Sequence, residues 1–148
     1  MEDIMDNKSL GDLAEQKLIV KLLELGLPVF KTVGDNGPND MVVQTADKRK
    51  LGIQVKSTSR PKFHNKGSSY KITVGKGSSS KERYDPEEVD ILAVYLHDVD
   101  IWYILPYNNI TGITAHFFPN NKNSQGKHEI YKNNFNLLTK TTHIKQIA

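Results

Sequence analysis

The sequence has no cysteine among its 148 residues. That excludes disulfide staples and thiolate metal sites, and it is compatible with a reducing compartment. No apolar run approaches membrane-spanning length, and the start Met1-Glu2-Asp3 is acidic, unlike a secretory signal. The expectation is a cytoplasmic protein with no membrane partner. The five histidines, His64, His97, His116, His128 and His143, lack the close spacing of a zinc protease or other His-based metal motif. None is assigned to catalysis. Gly75 to Ser80 lacks the Gly-Lys-Ser/Thr ending at the spacing that a phosphate-binding loop requires, so an NTPase is discarded.

What is present describes a soluble globular chain, with 37% hydrophobic and 25% charged residues. Its length suits one domain, residues 1–148, with a real core. The formal charge of +3 is unevenly spread: Lys56 to Arg83 carries +7 and the remainder −4. Such asymmetry points to a polyanionic partner.

The stretch from Asn36 to Ser57 organises the chain. Asp40 to Thr45 and Leu51 to Ser57 read as strands joined by a polar turn at Asp47 to Lys50, and Pro28 to Val33 is a third strand before them. Side chains alternate across a strand, so Gln54 and Lys56 share one face while Ile53 and Val55 take the other. Antiparallel pairing brings Asp40 near Gln54 and Lys56. An anionic oxygen, a neutral oxygen and a cation in one place suit phosphodiester hydrolysis. Asp40 and Gln54 are candidate ligands for a divalent metal, and Lys56 is a candidate to orient or deprotonate water or to stabilise charge on the phosphate. Each residue alone also has a plain structural reading, as a strand-end turn acid, a half-exposed strand amide and a strand-edge lysine. Asp35 is more readily a turn residue than a metal ligand.

Upstream, Ser9 and Asp12 mark a helix start, and the helix is expected to run to about Leu25 with Gly26 as its stop. Ala14, Leu18, Leu22 and Leu25 fall on one sector with Gly11 inside it, so this face is expected against the sheet, with Gly11 permitting close approach. Glu15 sits at the margin of that sector, from which it can reach the sheet's rim.

Pro38 to Asp40, with Asn39 inserted, and Gln54-Val55-Lys56, with Gln in place of the usual acid, resemble the PD-(D/E)XK nuclease motif. More narrowly, Gly11 to Lys56 resembles the homing endonucleases of this type encoded in group I introns, where a Gln at this position also occurs. The resemblance implies an α/β fold with a restriction-endonuclease-like core, a mixed central sheet with the N-terminal helix packed on it. It further implies Mg²⁺, double-stranded DNA as substrate, a homo-oligomer (dimer or tetramer), and a metal role for Glu15, because these nucleases often carry an additional acid on the first helix. Holliday junction resolvases share this core, so a junction is the rival substrate. A DNA-binding module that has lost catalysis and an RNA-processing nuclease are further alternatives.

The basic segment supplies the DNA-binding candidates Arg60, Lys62, His64, Asn65, Lys66, Lys71, Lys76, Lys81 and Arg83. Its Gly- and Ser-rich flanks around a short strand, Tyr70 to Val74, read as a flexible DNA-facing hairpin. Val89 to Leu96 and Ile101 to Leu105 are expected to extend the central sheet, with Tyr95, Trp102 and Tyr103 as packing residues. Thr114 to Phe118 reads as a strand, and Glu129 to Leu138 as either a short helix or a strand. Exposed-looking aromatic and Ile residues near the end suit a subunit interface.

Overall fold

The structure is a computed structural model that describes residues 5–34, 37–64, 67–75, 82–120 and 126–140. Helix α1 (Asn7–Glu24) starts two residues before Ser9, because the Asp6 carboxylate accepts the Ser9 N–H at 2.7 Å and caps the first turn. Gly26, at φ +78°, ends it as expected from the sequence. Ala14, Leu18 and Leu22 are fully buried, whereas Leu25, the C-cap, is exposed. A Cβ at Gly11 would meet nothing within 4 Å, so the expected close approach there is absent.

The three strands of the meander follow: β1 (Val29–Lys31), β2 (Met41–Gln44) and β3 (Lys50–Thr58). Both pairings are antiparallel, with Met41 opposite Ile53 and Lys31 opposite Met41. The β2–β3 turn is pinned by the Thr45 hydroxyl donating to Asp47, by Arg49 bridging to Asp47 at 3.0 Å, and by Lys48 at φ +68°. Beyond β3 the chain forms β4 (Lys62–His64) and β5 (Gly67–Thr73). After these come β6 (Ile91–Leu96), β7 (Ile101–Pro106), β8 (Thr114–Phe117) and the short helix α2 (Asn136–Thr139).

Five strands form one sheet in the order β1-β2-β3-β6-β7, and only the β3–β6 pairing is parallel. This is the mixed sheet that was expected, with α1 on one face. Every residue of β6 is buried, as befits an inner strand covered on both sides. Its second cover is a three-stranded antiparallel sheet, β4-β5-β8, which local sequence patterns did not disclose.

Two cores result. On the α1 side Leu18, Leu22, Met41, Ile53, Val55 and Ala93 pack together. On the other, Leu92, Val94 and Tyr103 meet Tyr70, Ile72 and Phe117 of the smaller sheet. Tyr95, Trp102 and Tyr103 are buried packing residues, as expected. The basic hairpin is therefore not merely a loop, since alternate residues of β5 belong to a core. Glu129 to Leu138 forms neither one helix nor a strand: a 3₁₀ turn at Glu129–Tyr131 precedes α2. Among the described residues no helix is long and apolar enough to cross a membrane.

Candidate active site

The site forms where β2 and β3 separate. The Asp40 N–H still donates to the Ile53 carbonyl at 2.8 Å, but beyond it the Asp40 side chain takes over the ladder's role. One carboxylate oxygen, Oδ2, accepts the Val55 backbone N–H at 2.7 Å and the Gln54 amide Nε2 at 3.1 Å. Gln54 is only 7% exposed, so its donor half has exchanged water for Asp40. Its carbonyl oxygen remains as a candidate ligand atom. Two strand positions on, the half-buried Lys56 holds its ammonium 5.7 Å from the centroid of the Tyr84 ring, within cation–π range. Burial first, then the Asp40 carboxylate and then Tyr107, push the Tyr84 phenol above its ordinary pKa. Tyr84 thus lies near both Asp40 and Lys56.

Asn39, the residue inserted into the motif, fastens this arrangement. Its Nδ2 donates to the Glu88 carbonyl at 2.8 Å, and its side chain lies over Gly52, where an added Cβ would come within 2.5 Å of it. Gly52 in turn donates to the Asp90 carboxylate at 2.8 Å and accepts the Asp90 N–H at 3.1 Å. The Thr32 hydroxyl, shared between the carbonyls of Asn39 and Asp40 at 3.2 Å each, ties the end of β1 to the same turn.

Glu15 is held differently from the other three. It pairs with Lys31 at 4.0 Å on the side of the sheet where α1 packs. Lys31 adjoins Thr32, so the acid lies beside the strand edge that carries Asp40. Asp35 lies outside the described residues, as do Asn65, Lys66, Lys76 and Lys81.

A cleft of about 550 Å³ opens from Lys56 and is lined by Ser57, Arg60, Lys71, Thr73 and the first-turn residue Asn7 of α1. Arg60 and Lys71 therefore share one channel with Lys56. Lys62 is exposed on β4, and His64 ends that strand. Arg83 stays exposed but is anchored to the protein. Its guanidinium donates to the Ile110 carbonyl and lies over the Tyr107 ring, and the neighbouring Tyr84 N–H donates to the Tyr107 hydroxyl at 2.9 Å. A larger cleft of about 620 Å³ between α1 and Trp102 contains none of the Asp40, Gln54 and Lys56 group.

No three His, Cys, Asp or Glu side chains cluster to hold a metal among the described residues. The donors that do converge, a carboxylate and an amide carbonyl, are hard oxygen atoms of the kind that suit an oxygen-preferring divalent cation. Tyr84, Asn39 and Gly52 were not singled out by sequence reasoning. Only Gly52 left a signal, a glycine inside a strand pattern, which marks close backbone approach.

Comparison with known proteins gives two findings. A family model described as PD-(D/E)XK endonuclease matches residues 5–138. The solved structure of a bacterial homing endonuclease, I-Ssp6803I, superposes with a TM-score of 0.75 at 22% sequence identity, covering 90% of this chain and 93% of that one. No curated protein matches the sequence.

Proposed function

Because the chain belongs to the PD-(D/E)XK endonuclease family, we propose that it is a Mg²⁺-dependent, sequence-specific endonuclease that cuts double-stranded DNA. Residues 1–148 act as one nuclease domain, working in the cytoplasm as the homing enzyme of a group I intron. The observation that carries this reading is the Asp40 Oδ2 contact to Gln54 Nε2, 3.1 Å, on the strand that also presents Lys56. The likeness of fold to I-Ssp6803I supports the homing assignment.

In this mechanism Asp40 and Gln54, joined by Glu15, would hold Mg²⁺. When bound, the ion would supply Lewis-acid polarisation of the phosphate and lower the pKa of water. Lys56 Nζ, steadied over Tyr84, orients the incoming water and offsets the negative charge that builds on the phosphate. Val55, by donating its N–H to Asp40, fixes the carboxylate against rotation. Arg60, Lys62 and Lys71, with His64, Asn65, Lys66, Lys76, Lys81 and Arg83, bind the DNA around the cut. Two copies place two sites on opposite strands, so the working enzyme is a dimer or a tetramer of paired dimers.

The test is cleavage in Mg²⁺ of a linear duplex library beside a four-way junction. Cutting of selected linear duplexes is expected. Selective cutting of the junction overturns the homing reading in favour of a resolvase. Absence of cutting on both overturns the nuclease reading.

A further inference from the structure

Val33 and Phe63 are the two most exposed large apolar side chains among the described residues, at 101% and 82%. Single exposed apolar residues are ordinary. These two, however, share a location. The end of β1 and the end of β3 both lie at the end of β2 where Asp40 sits, so the segments that follow them leave the sheet on the same side. Val33 follows Thr32, whose hydroxyl bonds the Asn39 and Asp40 carbonyls. Phe63 lies on β4 opposite Ser68, on the hairpin whose returning strand brings Lys71 and Thr73 to the cleft beside Lys56. One unsheltered apolar side chain thus follows each of the two strand ends that lie at the Asp40 end of β2.

The charge around Phe63 selects the partner. From Lys56 to Gly75 the sequence contains no Asp or Glu, but it has Lys56, Arg60, Lys62, Lys66 and Lys71. A second copy would bring the same positive charge to this surface. Duplex DNA instead offers an apolar base stack within a cage of phosphates, which matches apolar tips set among cations. We propose that Phe63 and Val33 enter the groove of the bound DNA, Phe63 lying against the bases of an opened step and Val33 against a base edge such as a thymine methyl. They are recognition residues, and this inference rests on the DNA endonuclease reading above.

The experiment selects duplexes from a randomised library with the full chain in Ca²⁺, then measures binding of a recovered duplex by fluorescence anisotropy and the mass of each variant by sedimentation. Phe63→Ser is expected to weaken binding roughly tenfold, as the loss of a base–aromatic contact does, while Phe63→Trp stays within about twofold on the same grounds. Val33→Ser is expected to bind less tightly and to relax selection. All three variants are expected to keep the wild-type mass. Wild-type affinity in Phe63→Ser overturns the inference while the endonuclease reading stands, and so does a fall in mass, which marks an interface between copies. Failure to recover any duplex overturns both.

Discussion

The Gln54 amide nitrogen donates across 3.1 Å to the same Asp40 oxygen that accepts the Val55 N–H at 2.7 Å. The amide stands where the family pattern has an acid, and it allows the metal-free site to be neutral at that position. Gln54→Glu would set two carboxylates together in a buried place. The variant is expected to lose on the order of 2 kcal/mol of stability in EDTA, lowering Tm by about 5 °C. It is also expected to reach half-maximal cleavage at a lower Mg²⁺ concentration. Thermal unfolding with and without Mg²⁺, beside a metal titration of cleavage, checks both.

Tyr84 offers Lys56 a ring, and the ring rather than the hydroxyl makes that contact. Tyr84→Phe is therefore expected to cut at the wild-type rate, and Tyr84→Leu to lose about three- to tenfold in kcat, the scale of one cation–π contact. Burial and the Asp40 charge both raise the phenol's pKa above its ordinary value. The pH–rate profiles of wild type and Tyr84→Phe are expected to coincide across the neutral range.

Asn39 and Gly52 form a steric pair. Gly52→Ala, which sets a methyl group 2.5 Å from the Asn39 amide, is expected to cost about 1–3 kcal/mol by overpacking and to slow cleavage by shifting Asp40. Asn39→Ala loses the bond to Glu88 and costs about 1 kcal/mol. In that background Gly52→Ala is expected to be nearly neutral. A double-mutant cycle of chemical denaturation measures the coupling.

His97 and His128 are expected to weaken the fold at acid pH. Burial, first among the causes for each, depresses both pKa values below the ordinary imidazole value; Lys17 adds to the effect at His97 and Lys127 at His128, with Asp98 and Glu129 opposing. His97 Nε2 and His128 Nδ1 are buried without a hydrogen-bond partner among the described residues. The unfolded chain binds protons at these positions more readily, so stability is full above about pH 6.5 and falls as pH drops through the lower folded values. Tm is expected to decline from pH 7 to pH 5, and less steeply in His97→Gln with His128→Gln.

The parts of the fold written in short-range patterns were legible. The α1 face of Ala14, Leu18 and Leu22 follows helical spacing, and the meander around Asp40 and Gln54 follows strand alternation and a polar turn. Pairings between distant segments were not legible. Nothing local tells β3 that its parallel neighbour is Ile91–Leu96, or that β5 will pair with β8 across some forty residues of chain. The same limit applied at the site: Arg83 counts as one more cation in sequence, and only the structure shows it anchored on Tyr107 and Ile110. Tyr84 owes its place to that anchoring, which composition does not reveal. Asp6 was overlooked as the cap because Ser9 fits the same pattern and instead supplies the N–H that Asp6 receives.

The most direct measurement is conversion of a supercoiled plasmid library to nicked and linear forms in Mg²⁺, with Asp40→Ala and Lys56→Ala run beside the wild type and folding verified by thermal unfolding. The wild type is expected to cut, and each variant to be slower by at least about a hundredfold, with DNA binding in Ca²⁺ preserved. Cutting that proceeds unchanged in both folded variants contradicts the assignment of catalysis to the pocket where β2 and β3 part.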